Sequence, residues 1–259
     1  MTASIMGNKK KNILGGLLAA AFWLLVWQLA SMLVNQEVVL SPPLTVFAAL
    51  WRLMGTEQFW LSLGASFLRI IGGFLLGVLL GSALALLCWR IGLARLLISP
   101  FMSVVRATPV ASFIILLLFM ARNSLIPVII AALMVMPILW TNVLKGLEET
   151  DEDLLEMGRV FDLSRSWQIR YIYGPSVKAF FLPAALTGLG LAWKAGIAAE
   201  VLAAPTHAVG GMLYRAKIYL ENPDMLALTL CVILISMGLE QLLKKMLERN
   251  RGNQRNHRI

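Results

Sequence analysis

Long apolar stretches, separated by shorter polar segments, make up most of the chain. A helix needs about 20 apolar residues to cross the hydrocarbon core of a membrane. Stretches that reach or approach this length occur at 12–34, 70–89, 108–121, 124–143, 179–199 and 225–243. Proline inside a stretch does not exclude a span, because neighbouring groups satisfy the freed carbonyls. The pattern predicts an all-α, polytopic membrane protein with about six transmembrane helices.

The segments between these stretches divide the chain into three parts. Pro42 and Pro43 break the chain after the first span, since proline cannot continue a helix interior, and a short external surface helix is predicted over 44–54. A mixed loop is expected over 200–224. The three parts are 1–59, with a basic start, the first span and the surface helix; 60–243, the main transmembrane domain; and 244–259, a basic tail.

The long polar stretch 145–178 has a pattern of its own. Its first half predicts an amphipathic helix, because small or apolar residues recur at helical spacing behind a favourable N-cap residue. The residues that set this pattern are Asp151, Leu154, Gly158 and Phe161. A second short helix is expected over 165–171, ended by Gly174-Pro175. A hairpin on the membrane surface is the simpler interpretation, and a docking platform for a partner protein is the functional one.

The composition agrees with a chain surrounded by lipid. Hydrophobic residues make up 59% of the sequence and charged residues 14%, whereas soluble domains average about 45–50% and about 25%. The net charge of +9 would suggest a polyanionic partner in a soluble protein. In a membrane protein the placement of the charges matters more, so we expect membrane lipid, and no nucleic acid, among the partners.

The distribution of basic residues predicts the orientation in the membrane. With six spans, 17 of the 23 Lys and Arg residues fall on the side that holds both termini, five fall on the opposite side, and Lys194 lies within a span. Cytoplasmic segments of membrane proteins carry the excess of Lys and Arg. Both termini and the 145–178 stretch are therefore predicted to be cytoplasmic.

Sequence motifs for catalysis and cofactor binding do not occur. The sequence has neither a Gly-x4-Gly-Lys-Ser/Thr phosphate loop nor a Gly-x-Ser-x-Gly nucleophile elbow. Cys88 and Cys231 lie in apolar stretches, and His207 and His257 stand apart from any cluster of metal ligands. We expect no catalytic residue, no bound cofactor and no metal site in this chain.

The polar stretch resembles the cytoplasmic loop of the permeases of binding-protein-dependent ABC importers. That loop reads Glu-Ala-Ala, three residues, Gly, nine residues, Ile, one residue, Leu-Pro. The corresponding residues here are Glu156, Met157, Gly158, Asp162, Ile172, Gly174 and Pro175. Glu156, Ile172 and Pro175 match the family pattern, and the other four depart from it. Asp162 replaces the turn glycine, and aspartate enters the left-handed region more readily than most residues.

Further segments resemble the nitrate/sulfonate/taurine branch of that family. They are Val39–Val46, Ser66–Phe74, and Gly190–Lys194 continuing to Ala199–Val201. The resemblance as a whole runs from Val39 to Leu243, in the family's order.

The resemblance implies a type I ABC importer permease fold in a bacterial inner or plasma membrane. Family members pair two permeases with two cytoplasmic ATPase subunits, and an external solute-binding protein delivers the substrate. For this chain it implies a homodimer with a second permease copy and ATP that is used by the partner subunits. The loop around Glu156 would dock on the ATPase, with Gly158 on the small face that meets it.

Small residues repeat every four positions in two spans. They are Gly73, Gly77 and Gly81 in the second span, and Ala184, Gly188, Ala192 and Gly196 in the fifth. Small residues at this spacing let helices in a membrane approach closely. Packing within the chain is the simpler interpretation, and a sliding or dimer contact is the alternative.

Lys194 and Glu200 are the candidate residues of a translocation path. On one continuous helix Lys194 would lie about 9 Å deeper than Glu200, with the two side chains about 120° apart. Charge deep in a membrane faces protein or water, so Lys194 could line a path for an anionic or zwitterionic solute. A structural pair with another carboxylate, or snorkelling to an interface, is the alternative.

Two other kinds of protein share parts of this pattern. A stand-alone channel or ion-coupled transporter could use Lys194 and Glu200 as pathway charges, but would not need a folded docking loop. A membrane enzyme would need a nucleophile and base that the sequence lacks. Copurification of an ATPase would distinguish the importer permease from the channel or ion-coupled transporter.

Overall fold

The structure is a computed structural model that describes residues 2–255, with side chains described at 15, 16 and 18–245. Every regular element in that part of the chain is helical. The α-helices are α1 Thr2–Val34, α2 Pro43–Met54, α3 Glu57–Arg90, α4 Gly92–Ala107, α5 Val110–Met120, α6 Ile126–Glu148, α7 Glu152–Val160, α8 Arg165–Gln168, α9 Gly174–Ala203, α10 Val209–Ile218 and α11 Asn222–Arg255. A π turn, Ile169–Tyr173, joins α8 directly to α9. The two compact units of the chain are Met1–Phe59 with Met212–Cys231, and Trp60–Gly211 with Val232–Ile259.

The helices confirm the predicted all-α, polytopic fold class. Among the described residues, four helical stretches are long and apolar enough to cross a membrane: Glu57–Arg90, Ile126–Glu148, Arg165–Ala203 and Asn222–Lys245. The bent pair of α4 and α5 makes a fifth if it is counted as one span. The predicted first span corresponds to the shorter apolar helix Leu18–Val34, and its beginning lies outside the described side chains. The basic tail continues α11 as far as Arg255, and residues 256–259 lie outside the described part.

The predicted third span, 108–121, corresponds to the short helix α5 in the structure, and α4 directly precedes it. Helices α4 and α5 meet at an angle of 103°. The break falls at Thr108, whose backbone is extended, with φ −78° and ψ 129°. Pro109 causes this, because the ring of a proline disfavours the helical region for the residue before it. The prediction missed α4 because Arg95 and Arg106 made its sequence look like a polar connector.

The second helix of the polar stretch continues into the membrane, so the expectation that it ends at Gly174-Pro175 is wrong. The N–H of Gly174 donates to the carbonyl of Ile169, five residues earlier. A proline in a helix removes one N–H and crowds the carbonyl four residues before it. The wider π turn lies directly before Pro175, and the helix then runs on to Ala203. The segment 200–224 was likewise expected to be a loop, but it contains α10.

The first compact unit packs α1 and α2 with the first part of α11. The indole N–H of Trp27 donates to the carbonyl of Ser41 at 3.2 Å. Val46 and Ala49 of α2 form a buried cluster with Ala227 of α11. The predicted short helix over 44–54 is therefore present as α2, and Met212–Cys231 joins the same unit.

The second unit is built on the long contact between α6 and α9. Apolar side chains of α6 such as Ile130, Val135 and Leu139 have no exposed surface. Trp193 of α9 is almost fully buried, and its indole N–H donates to the Val232 carbonyl at 3.1 Å. These contacts fix the level of α9 along the bundle, which in turn fixes the position of Lys194, the next residue.

The glycines of α3 make room for the backbone of α6. A Cβ atom at Gly77 would lie 2.7 Å from the carbonyl oxygen of Ala132 and 2.8 Å from the Cβ of Val135. Added Cβ atoms at Gly73 and Gly81 would meet the carbonyls of Val128 and Met136 in the same way. The stripe therefore forms a groove for α6, and the packing that it supports lies within the chain.

The small residues of α9 face two helices of the same unit. An added Cβ at Gly188 would touch Val135 of α6 at 3.4 Å, and one at Gly196 would lie 2.6 Å from a side-chain carbon of Ile70 in α3. Ala184 and Ala192 are buried on the same stripe. This stripe, too, packs within the chain, as the simpler interpretation expected.

We expect Gly77→Ala to destabilise the protein by about 1–3 kcal/mol, the usual cost of overpacking a tight contact. The new methyl group would meet a backbone oxygen, which cannot turn aside as a side chain can. Thermal unfolding of the purified protein in detergent measures the effect. Gly72→Ala is the matched control, because an added Cβ at Gly72 meets nothing within 4 Å, so that variant should gain up to about 1 kcal/mol from the better helix former. Equal stability of the two variants would contradict the packing role.

Candidate functional site

Helix α7 is closed at both ends by local hydrogen bonds. At its start the Asp151 carboxylate accepts the N–H of Asp153 at 3.0 Å. At its end Asp162 has φ 49°, and the N–H groups of Asp162 and Leu163 donate to the carbonyls of Arg159 and Gly158 at 3.1 and 2.8 Å. This pair of bonds is a Schellman motif, in which glycine is the preferred left-handed residue. Asp162 therefore takes the conformation that a turn glycine would take.

The inner face of α7 packs against the chain's own π turn. An added Cβ at Gly158 would lie 3.5 Å from the Cδ1 of Ile172 and 3.6 Å from the Cγ of Gln168. Gly158 and Ile172 are both buried. The small residue at 158 thus lets the two halves of the loop close on each other. This corrects the expectation that Gly158 lies on the face that meets a partner protein.

The outer face of α7 points away from this contact. At 100° per residue, Glu156, Met157 and Val160 fall within about 100° of arc on the helix surface. All three are exposed, Val160 by 76% and Met157 by 41%. These three exposed residues form the outer face of α7. Pro175 is exposed at the first turn of α9 and lies outside this face.

Glu200 lies in a closed polar network at the end of α9. Its side chain has no exposed surface. The Ser66 hydroxyl donates to Oε2 at 2.6 Å, the Arg69 guanidinium lies 3.1 Å from Oε1, and the N–H of Gly210 donates to Oε2 at 3.2 Å. The Ser66 oxygen also accepts the N–H of Val209 at 2.9 Å. A fully buried carboxylate with these partners does not line an open path, so the structure leaves Lys194 as the candidate path residue.

Arg69 extends the network to the backbone between α9 and α10. Its guanidinium donates to the carbonyls of Thr206 and His207 at 2.7 and 3.0 Å. The residues Ala204 and His207 both have positive φ, 43° and 49°, so the turn needs fixed partners to hold it. Gly210 lets the start of α10 lie close to the end of α9. An added Cβ at Gly210 would lie 2.6 Å from the backbone nitrogen of Val201.

Sequence reasoning missed this network because its members are far apart along the chain. Ser66 and Arg69 are separated from Glu200 by 134 and 131 positions. The sequence did offer a reason to single out Ser66 and Arg69. Both residues fall in the Ser66–Phe74 segment that carries the family resemblance, and Arg69 adjoins a predicted span. The pairing partner could not be read from either feature.

Lys194 is exposed on α9 and lines a groove between α9 and α11 of about 610 Å³. Thr187, Glu240 and Lys244 line the same groove. No carboxylate oxygen of the described residues lies within 4.0 Å of the Lys194 ammonium. Glu240 instead lies over Gly190, one helical turn from Lys194, where an added Cβ would be 2.6 Å from its Oε1. The groove thus holds charges of both signs that are not joined as an ion pair.

The described helices form a multi-span bundle with a charged groove between α9 and α11 and a folded loop between α6 and α9. Residues 73–249 match the family model of the binding-protein-dependent transport system inner membrane component. The chain belongs to this family, and it is therefore a multi-pass protein of a bacterial inner membrane and a permease component of an ABC transport system. The stand-alone channel is thereby set aside.

Named relatives support the predicted branch. A probable ABC transporter permease protein of Brucella melitensis is 27% identical over 80% of this chain and 84% of its own length. The nitrate import permease protein NrtB of Synechococcus elongatus is 27% identical over 78% of this chain and 76% of its own. The taurine transport system permease protein TauC of Escherichia coli is 21% identical over 85% and 83%. The resemblance to the nitrate/sulfonate/taurine branch is confirmed.

A solved structure shares the fold. The MetNI methionine ABC transporter, in an inward-facing conformation, contains a chain that aligns with a TM-score of 0.57 and 16% sequence identity. The alignment covers 73% of this chain and 93% of that one. The type I importer permease fold that the resemblance implied is therefore confirmed.

We expect Arg69→Met to destabilise the protein by about 3–5 kcal/mol, because it leaves the buried Glu200 carboxylate without its charged partner. Thermal unfolding in detergent measures the loss. Lys145→Met is the control: Lys145 pairs with Glu149 at 3.4 Å, the two side chains are 55% and 54% exposed, and exposed pairs contribute about 0–1 kcal/mol. The double variant Arg69→Met/Glu200→Gln should recover part of the stability. Equal losses in the two single variants would contradict the network.

Proposed function

We propose that the chain forms the translocation path of an ABC importer for a small anionic or zwitterionic solute. The observation that carries this proposal is Lys194, an exposed cation with no ion-pair partner among the described residues, in a groove along two spans. Both the class of solute and the role of Lys194 are inferred from this arrangement and from the relatives' names.

Lys194 lies well inside helix α9. It precedes the end of α9 at Ala203 by nine residues, which is about 14 Å along a helix. A cation at the middle of a membrane helix costs about 2.5–3.5 kcal/mol on insertion scales. Such a residue is retained where it faces water or an anion. The groove gives the ammonium that access.

The groove around Lys194 offers both hydrogen-bond donors and acceptors to a solute. A lysine ammonium offers three donors and no acceptor, which suits the oxygens of an anionic group. Two of the relatives named above are a nitrate import permease protein and a taurine transport system permease protein, and taurine carries a sulfonate and an amine. Glu240 in the same groove supplies acceptors for a solute amine, and Lys244 adds a second cation. The groove could thus hold either an anion or a zwitterion.

The outer face of α7, Glu156, Met157 and Val160, is the proposed docking surface for a cytoplasmic ATPase subunit. Its two exposed apolar side chains would enter a groove on the partner, and the Glu156 carboxylate would pair with a basic group there. ATP would be bound and hydrolysed by the partner, since the sequence of this chain carries no phosphate loop. Asp162 and Ile172 hold the loop in shape, and Pro175 marks its return to the membrane.

The remaining parts of the proposed assembly follow from the family and from charge. The 17 to 5 distribution of Lys and Arg supports cytoplasmic termini. An external solute-binding protein would deliver the substrate. A second copy of this chain would complete the path, as a homodimer.

We expect Val160→Asp to reduce recovery of the ATPase with the tagged chain about tenfold or more, because a charge would replace an apolar contact at the centre of the surface. Glu156→Ala should weaken recovery less. Arg159→Ala is the control, since Arg159 is exposed on the flank of the same helix and outside the proposed surface. Copurification from membranes measures the recovery of the ATPase. An ATPase assay of the complex and of the isolated chain then measures hydrolysis. Normal recovery with Val160→Asp, or hydrolysis by the isolated chain, would contradict the proposal.

We expect Lys194→Met to reduce solute uptake about ten- to a hundredfold, the range for losing a hydrogen bond to a charged group. Cells in which the variant replaces the natural copy would be tested with labelled nitrate and labelled taurine. Lys194→Arg keeps the charge and should retain part of the uptake. The ATPase activity of the complex serves as the control for assembly and should persist. Unchanged uptake by Lys194→Met would remove Lys194 from the path.

A further inference from the structure

A second groove lies where the last turn of α3 meets α8 and the π turn. Its volume is about 660 Å³. The lining residues that matter here are Leu86, Trp89, Arg90, Arg165, Ile169 and Tyr173. Arg90 ends the long apolar helix α3, so this groove lies at the end of a membrane-crossing segment. It is separate from the groove that holds Lys194.

The two arginines of the groove are free to bind an anion. In the described part of the chain, neither Arg90 nor Arg165 has a carboxylate oxygen within 4.0 Å. Arg95, close by in sequence, is instead paired with Glu148. The Arg90 guanidinium lies 5.3 Å from the ring centroid of Trp89, which holds it at the groove without neutralising it. Guanidinium groups bind phosphate oxygens in a bidentate manner.

An apolar stripe on α3 leads into the same groove. Leu79, Ala83, Leu86 and Arg90 are all exposed, and their spacing places them within about 60° of arc on one helix face. The rings of Trp89 and Tyr173 meet edge to face, with centroids 5.2 Å apart. Aromatic side chains at the end of a span typically lie at the headgroup level of the membrane. The groove therefore combines a cationic end with an apolar approach from the membrane.

We propose that this groove binds the headgroup of an anionic phospholipid. The phosphate lies between Arg90 and Arg165, and an acyl chain follows the exposed stripe of α3. A free anion would use the arginines but not the stripe, and an acidic group of a partner protein would need neither the stripe nor the aromatic pair. The bound lipid would link the end of a span to the docking loop. This inference does not depend on the solute path.

The test compares lipids in vesicles of phosphatidylcholine that contain the full chain. Spin-labelled phosphatidylglycerol and spin-labelled phosphatidylcholine report the lipid immobilised at the protein. Each arginine near an anionic group contributes about fivefold in affinity. We expect the natural chain to prefer phosphatidylglycerol about 25-fold, and Arg90→Gln/Arg165→Gln to lose that preference. Arg90→Lys/Arg165→Lys keeps the charge and should retain most of it.

The control is Arg106→Gln/Arg170→Gln, which removes the same charge from two exposed arginines outside the groove and should keep the preference. If this control loses the preference for phosphatidylglycerol equally, the proposal is overturned, because the preference would then come from diffuse electrostatic attraction. Displacement of the labelled lipid by excess inorganic phosphate would assign the groove to a free anion. If Arg90→Gln/Arg165→Gln keeps the lipid preference but no longer recovers the ATPase, the groove would be assigned to the protein partner.

Discussion

The packing of α6 between α3 and α9 is the arrangement on which the second unit depends. Burying apolar side chains gives little advantage in lipid, so helices in a membrane associate through packing and polar contacts. Gly73, Gly77 and Gly81 present a surface without side chains, and three carbonyls of α6 lie against it. Helix α6 in turn packs along α9. The positions of Lys194 and of the loop between α6 and α9 both follow from this series of contacts.

In the loop between α6 and α9, the two faces of helix α7 differ: one packs within the chain and the other is exposed. Gly158 and Ile172 close the inner face, and the Schellman turn at Asp162 fixes its end. The outer face is left with Glu156, Met157 and Val160 exposed. For the proposed docking surface, a rigid inner contact behind the exposed face would let a movement of the partner pass to α9. The continuous helix from α8 through the π turn to α9 would provide the mechanical link.

Local patterns predicted the loop and most of the helices but missed α4 and α10, and the long-range contacts required the structure. Apolar length located the spans, and charge spacing located α7. The rule that proline ends a helix failed at Pro175, where a π turn directly before the ring lets the helix continue, and held at Pro109, where α4 ends just before α5. The partners of Glu200 were not predicted, because hydrogen bonds between segments that are far apart along the chain produce no periodic pattern in the sequence. The groove residue Lys194 was found because a cation within an apolar stretch is conspicuous.

The Arg69–Glu200 pair also has a consequence for how the protein is made. The two residues lie 131 positions apart, and a ribosome adds about 5–20 residues each second. Arg69 is therefore synthesised roughly 7–26 seconds before its partner. Until Glu200 is made, we expect the guanidinium of α3 to be held by water or by the insertion machinery, because an unpaired cation is costly in hydrocarbon. The contact between α3 and the end of α9 can form only after about three quarters of the chain has been synthesised.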